Sequence, residues 1–221
     1  MRNPNETRAR LLETALQLIW QSNYTSVGVN EICAQAGVTK GAFYHHFDTK
    51  AALYEAASAH YWEGMKADLD AIFSPSNAPL EQLEQLIDFV LERQHSERDD
   101  LARSSGQEVL GCPFFTAGGQ VGAAEDKVRQ VAVEMCAYGV CYTVALVRGL
   151  EAEGCLNGQP CEEQVGRLVY EFIHGLLMYG RIVNSLAIVE RDLREGIYRM
   201  LDLKPAHRRA AIPAGRAAEV A

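Results

Sequence analysis

The stretch from Thr25 to Lys50, TSVGVNEICAQAGVTKGAFYHHFDTK, constrains the fold more than any other part of the chain. Val29, Ile32, Cys33 and Ala36 recur at three- and four-residue steps, which marks one buried face of a helix. Thr25 and Ser26 stand just before that run as hydroxyl residues able to cap its start. Gly37 follows, at the point where a tight turn needs a residue tolerant of positive φ. Thr39 then opens a second short helix whose buried side is Ala42, Phe43 and Phe47, and Asp48 or Thr49 caps a third. Cys33 falls where the two short helices cross, and only a small side chain fits there. Helix, turn and short helix in this order present the second helix as a projecting rod of a width that enters the DNA major groove.

The outward face of that helix carries Thr39, Lys40, Gly41, Tyr44, His45 and, at its edge, His46. Lys40 can neutralise a phosphate and Gly41 lets a backbone come close. Tyr44 offers a hydroxyl on a stiff arm, and His45 can donate to a phosphate or a base edge. Amine, hydroxyl and backbone N–H donors suit phosphate contacts, which position a protein more than they discriminate sequence. His46 fits packing or solvation better than base contact.

The segment Val38-Thr39-Lys40-Gly41-Ala42-Phe43-Tyr44-His45-His46-Phe47, continued by Asp48-Thr49-Lys50-Ala51-Ala52-Leu53, resembles the DNA-binding domain of TetR-type transcriptional regulators. Arg10-Leu11-Leu12-Glu13-Thr14-Ala15 resembles that family's first helix. The likeness covers about the first quarter of the chain; the remainder shares only length and helical character. Cys33 departs from the family's usual Ala. The resemblance implies operator contacts from Thr25, Thr39, Lys40, Tyr44, His45 and Lys50, mostly to phosphates. Lys50 would act from the start of the fourth helix, whose N-terminus itself favours an anion.

Composition narrows the partners. The chain has 221 residues and a net charge of −8. Residues 1–66 hold six basic and six acidic side chains, and the remaining 15 basic and 23 acidic residues carry the whole excess. A neutral head on an acidic body excludes a general polyanion binder and points to a few salt-sensitive contacts. The start, MRNPNETRARLLETA, has no apolar signal core, and no run of 18 uncharged apolar residues occurs, so the expected setting is the cytoplasm with no membrane partner. Six cysteines are then expected as reduced thiols, and none has the C-x-x-C spacing of a zinc site, so no metal and no cofactor is expected.

Beyond the head the pattern is all-α. Helices are expected over 49–72, 80–97, 123–153, 161–186 and 190–203, with 105–120 interrupted by Gly106, Gly111, Pro113, Gly118 and Gly119. Gly154 to Pro160 reads as a loop, and 205–221 as a frayed or disordered tail. This gives a helix-turn-helix domain over 1–50, a helical effector-binding and dimerisation domain over 51–204, and the tail. Residues 162–186 are apolar on more than one face, which requires burial on more than one side. The resemblance implies that the last two helices form a four-helix homodimer interface. A palindromic double-stranded operator also needs two heads about 34 Å apart.

An apolar pocket for a small-molecule effector is expected in the body, with Trp62, Phe89, Cys112, Phe114, Tyr138, Tyr142, His174 and Met178 as candidate ligand-binding residues. Most of these residue types also serve as ordinary core. His174 is the leading polar candidate on a mostly apolar helix, and a neutral, hydrogen-bonded core histidine is the competing reading. Arg148 and Arg181 are candidate anion contacts, or surface and ion-pair residues. In a subset of TetR-type regulators a Gly-Cys segment similar to Gly111-Cys112 lies beside the pocket, which implies an alternative use of Cys112 as a redox or electrophile sensor. A small, buried packing residue is its plainer role. No nucleophile elbow, phosphate loop, HExxH or paired-carboxylate motif occurs, so no catalytic residues and no enzyme activity are expected. The expected function is a ligand-responsive repressor, released from its operator by its effector.

Overall fold

A computed structural model describes residues 4–105, 108–122 and 126–209, with side chains over 5–95, 108–122 and 126–209. Nine α-helices stand among the described residues: α1 Pro4–Gln21, α2 Val29–Gln35, α3 Lys40–His46, α4 Lys50–Ile72, α5 Pro79–Ser105, α6 Pro113–Gln120, α7 Asp126–Ala152, α8 Glu162–Val183 and α9 Leu186–Met200. A 3-10 turn, Pro205–His207, follows. The all-α expectation holds, and the only β pairing among the described residues is an isolated bridge between Leu156 and Leu203.

The head is α1 to α3 packed on the start of α4. Leu11, Ala15, Ile19, Ile32 and Phe43 form its core and are almost wholly inaccessible. Each large apolar side chain so buried contributes about 1.5–3 kcal/mol. Thr39 and Thr49 cap α3 and α4, their hydroxyls accepting from Ala42 N–H at 3.1 Å and Ala52 N–H at 3.0 Å. The cap of α2 differs from expectation. Gly28 occupies it without a side-chain bond, because Asn23 claims the preceding hydroxyl residue: Ser26 N–H donates to Asn23 Oδ1 at 2.7 Å. Gly37 adopts φ +62°, and Arg10 donates to the Ala36 carbonyl at 3.1 Å, closing the turn between α2 and α3.

The body is built around α7, which packs against α4, α5, α6 and α8, while α9 covers α8 and α5. α7 has the length and apolar composition of a membrane span. Here it buries Val128, Val131, Met135, Leu146 and Leu150 in the core and exposes Arg129, Glu134 and Arg148. Gly166 sets the α7–α8 approach, since a Cβ there would lie 2.6 Å from Val144 Cα. α5 is tied to α9 by a buried network: Arg194 pairs with Glu84 and, at 2.9 Å, with Asp88, while the Tyr198 hydroxyl donates to Glu84.

Several boundaries differ from expectation: α5 runs on to Ser105 rather than 97, α8 ends at Val183 rather than 186, α9 begins at Leu186 rather than 190, and two segments change character. The 105–120 segment, expected to be interrupted, contains the regular helix α6. Pro113 begins it, and burial of Phe114, Thr116 and Ala117 holds it. Gly118 is there for closeness rather than for breaking, because a Cβ would come 2.7 Å from Ala132 Cβ. Of the expected tail, residues 205–209 are folded back, with Arg208 Nε donating to the Leu203 carbonyl at 2.9 Å; 210–221 lie outside the described residues.

Candidate nucleic-acid interface and internal cavity

The head leaves most of the expected DNA-facing residues open to solvent. Thr25, Thr39, Lys40, Gly41, Tyr44 and His45 are all exposed, and Tyr44 is exposed to 56%. Phe43, beneath them, is completely buried and meets Tyr44 edge-on at 5.1 Å, so the presenting helix is anchored by its own inner face. A Cβ on Gly41 would meet nothing closer than Thr39 Oγ1 at 3.8 Å. Internal packing therefore does not require glycine at this position.

Lys50 is placed differently from the expectation of a phosphate contact. Its ammonium donates to the Tyr24 carbonyl at 2.7 Å and the Val27 carbonyl at 3.0 Å, and lies 4.1 Å from the Tyr24 ring centre. Those bonds clamp the loop before α2. They make Lys50 a holder of the surface that presents Thr25 rather than an open cation.

The body encloses a cavity of about 100 Å³. α4 supplies Tyr61, Trp62, Met65 and Leu69; α5 supplies Phe89, Arg93 and Gln94; α7 supplies Met135, Tyr142 and Thr143; and α8 supplies Tyr170, Ile173, His174 and Leu177. Gly111, Cys112, Pro113 and Phe114 close the end nearest the head. Six of the eight expected ligand residues, Trp62, Phe89, Cys112, Phe114, Tyr142 and His174, line this space.

Tyr138 and Met178 do not line it. Tyr138 stacks on the outer face of Trp62 at 5.3 Å and gives its hydroxyl to Glu134 at the surface. The α8 contribution ends at Leu177, one position before Met178. Arg148 and Arg181 also lie off the cavity lining: Arg148 pairs with Glu162 at 2.7 Å, and Arg181 binds backbone carbonyls near α1.

The lining is aromatic with a few fixed polar groups. His174 stacks on Phe115 at 4.9 Å and meets Tyr170 edge-on at 4.2 Å. Burial pushes its pKa down to about 4, so it is neutral at pH 7. Among the described residues its buried Nδ1 has no hydrogen-bond partner, unlike the satisfied core histidine that was the competing expectation. Tyr142 donates to Asp70 at 2.5 Å; burial first, and then that bond, push its pKa up to about 12. Burial also raises the Tyr170 phenol and the Cys136 thiol. Among the described residues Arg93 is the only charged one in the lining: it donates to Tyr61 Oη at 2.6 Å and lies 5.0 Å from that ring's centre. Arg93 and Gln94 were not among the expected site residues, since their helix carries no motif; only their place on the cavity face of α5 reveals them.

α8 leaves a second, apolar surface. Leu168, Tyr179, Ile182 and Val183 are exposed on it, Ile182 to 74% and Tyr179 to 53%. Gly175 lies on the same helix with open space around its Cβ position. Among the described residues no group of three His, Cys, Asp or Glu converges to hold a metal ion, and all six cysteines are free thiols.

Comparison with known proteins follows the same division between head and body. Residues 11–57 match the bacterial regulatory proteins of the tetR family. The probable HTH-type transcriptional regulator ArpR of Pseudomonas putida is 29% identical over 210 residues, covering 92% of this chain and 95% of that one. The HTH-type transcriptional repressor NemR of Escherichia coli is 44% identical over 48 residues, 22% of this chain and 24% of its own. Other curated regulators are matched over 61%, 20% and 58% of their length, so for these the likeness spans less than two thirds of the relative. A TetR-family transcriptional regulator from Agrobacterium tumefaciens has the same fold: TM-score 0.77 at 18% identity, covering 89% of this chain and 98% of that one.

Proposed function

We propose that this chain, a transcriptional regulator of the TetR type, is a homodimeric repressor that leaves its operator when a small molecule occupies the body cavity. The observation that carries this reading is α4. One unbroken helix is capped at Thr49 against the head and supplies Tyr61, Trp62, Met65 and Leu69 to the cavity wall. Displacing that wall therefore moves a helix on which the head rests.

The cavity size gives the ligand leverage. A cavity of about 150 Å³ holds a benzene-sized guest, so an occupant of ordinary metabolite size must push apart walls enclosing about 100 Å³. Its binding energy then favours the expanded state by the difference in its affinity for the two states. An effector that is largely apolar, with one group able to bond the unpaired His174, fits the lining. The exposed apolar stripe of α8, with α9 beside it, is the surface we assign to the partner subunit. Thr25, Thr39, Lys40, Gly41, Tyr44 and His45 are assigned to the DNA, chiefly its phosphates. We place the head at 1–50 and the effector and dimer domain at 51–204, in a cytoplasmic protein without catalytic residues. Repression is the sign stated in the name of the E. coli relative NemR, which shares the head.

The test is a thermal-shift screen of the purified protein against metabolites, drugs and electrophiles, followed by gel shift on DNA from upstream of its own gene. A compound that raises the melting temperature and releases the DNA supports the reading. Equal operator affinity with and without every stabilising compound counts against it. A second reading rests on Cys112, which precedes α6 and lines the cavity: a thiol there, oxidised or alkylated, would act as the switch. It requires peroxide or an electrophile to release DNA and a Cys112→Ser variant to be unresponsive.

A further inference from the structure

Residues 108–112, between α5 and α6, form a strap fastened along its length. Glu108 N–H donates to Asn184 Oδ1 at 2.7 Å, and the Glu108 carboxylate accepts from Leu186 N–H at 3.2 Å, at the corner between α8 and α9. The Leu110 carbonyl accepts two bonds, from Trp20 Nε1–H at 2.9 Å and from Arg181 Nη1–H at 2.7 Å. Gly111 N–H donates to Gln94 Oε1 at 3.3 Å. The next residues, Cys112 and Pro113, face the cavity with Gly111 itself.

Arg181 spans two bodies at once. Its Nη2 donates to the Trp20 carbonyl at 2.8 Å and the Gln21 carbonyl at 3.4 Å, the last residues of α1, while Nη1 holds the strap. Carbonyls at a helix C-terminus have no partner within the helix, so this guanidinium completes the end of the first head helix. Charge-assisted bonds of this kind weaken steeply when stretched. Trp20 also meets Tyr61 edge-on at 5.8 Å, and Tyr61 meets Phe114 at 5.8 Å; both Tyr61 and Phe114 line the cavity. The cavity wall and the end of α1 thus share one cluster. Gly111 adopts φ +75°, a turn that only glycine makes without strain, just where the chain passes from the bonded Leu110 carbonyl to the cavity-lining Cys112.

We propose that Arg181 is the positioning residue through which cavity occupancy reaches the DNA-binding head: it holds the Leu110 carbonyl against the final carbonyls of α1, and an occupant that displaces Gly111 and Cys112 frees that end of α1. This rests on the effector-responsive reading above and assigns the transmitting contact within it. Arg181 is not itself one of the cavity-lining residues, and the carbonyls it binds belong to Leu110, Trp20 and Gln21, so the role assigned to it is transmission and not recognition.

The test is a double-mutant cycle in the full-length protein, read by affinity for a DNA sequence selected from a random pool by the unaltered protein. Cys112→Phe adds bulk to the cavity end of the strap; Arg181→Gln removes the bridge; the third variant carries both. With Arg181 present, Cys112→Phe is expected to weaken DNA binding about tenfold or more, the usual range of an allosteric coupling. In the Arg181→Gln background the same change should cost less than about twofold, because the contact that transmits it is gone. Arg181→Lys, which keeps the charge but cannot bridge both sets of carbonyls, should behave as Gln does.

Equal losses in both backgrounds, or no loss with Arg181 intact, overturn the proposal. A merely structural arginine predicts those equal losses. Should Cys112→Phe fail to fold, methyl methanethiosulfonate supplies the bulk chemically: the Cys112 thiolate attacks the sulfenyl sulfur, an S–SCH₃ bond forms and methanesulfinate leaves. The other five cysteines are replaced by Ala or Ser for this arm, and the same contrast is read. If the unaltered protein enriches no DNA sequence from the pool, it is the regulator reading that fails, a different result from additivity in the cycle.

Discussion

His174 makes stability depend on pH in a window that can be worked out. Burial holds its folded pKa at about 4, while an unfolded histidine takes its proton near the ordinary value of 6.5. Between these values the unfolded chain binds more protons than the folded one, so acid pulls toward unfolding. The loss begins as pH falls through 6.5 and is complete near 4. For a shift of about 2.5 units the full effect is about 3 kcal/mol, and about 2 kcal/mol of it falls between pH 7 and pH 5. Proton uptake elsewhere in the chain also changes stability, so the measurement is a difference. Chemical denaturation of the unaltered protein and of His174→Phe is compared at fixed protein concentration, because the stability of the proposed dimer would depend on concentration. The free-energy gap between the two should move by about 2 kcal/mol in favour of the variant from pH 7 to pH 5. A gap that stays flat across that range would refute the reasoning, and an imidazole NMR titration near 6.5 would show that the ring is not desolvated.

Three further outcomes follow from particular contacts. Gly166→Ala sets a methyl carbon 2.6 Å from Val144 Cα, so α7 and α8 must separate; a loss of about 1–3 kcal/mol is expected by thermal or urea unfolding. Lys40→Ala and Lys50→Met should part company. The first lowers DNA affinity and reduces the salt slope by about one, while the second, which orphans the Tyr24 and Val27 carbonyls, lowers melting temperature by removing bonds worth about 1–3 kcal/mol and leaves the salt slope near that of the unaltered protein. Ile182→Glu places a charge on the exposed α8 stripe and should convert a dimer to monomer by analytical ultracentrifugation with helicity intact.

The head was legible because its determinants are local. Thr39 and Thr49 each cap the helix that starts at the next residue by accepting from the N–H three residues on, and Gly37 takes the positive φ its place in the turn demands. The misreadings have equally physical causes. Ser26 looked like a helix cap, but Asn23, three residues earlier, binds it into a turn. Gly118 looked like a breaker, but its missing Cβ lets α6 press against Ala132. Lys50 looked like a phosphate ligand because charge is visible in sequence and carbonyl partners 23 and 26 residues away are not. Cavity residues were found where an aromatic residue type signals them, as with Trp62, Phe89 and Phe114. Arg93 and Gln94 were missed because only the packing of α5 against α4, α7 and α9 turns them inward. Arg181 reaches partners 71 and 161 residues away, a relation no local pattern contains.

The buried Glu84–Arg194–Tyr198 network carries a consequence for how sharply such a switch turns. α5 forms one wall of the cavity and is bolted through Arg194 to α9, beside the apolar stripe assigned to the partner subunit. Breaking a buried ion pair by removing one partner costs about 3–5 kcal/mol, so the wall cannot shift without taking α9 along. In a two-fold assembly joined through α8 and α9, the first guest would then do part of the second guest's work. Occupancy would rise more steeply than a single-site curve, with a Hill coefficient above one, and the genes beneath such an operator would pass from silent to expressed over a narrow span of effector concentration.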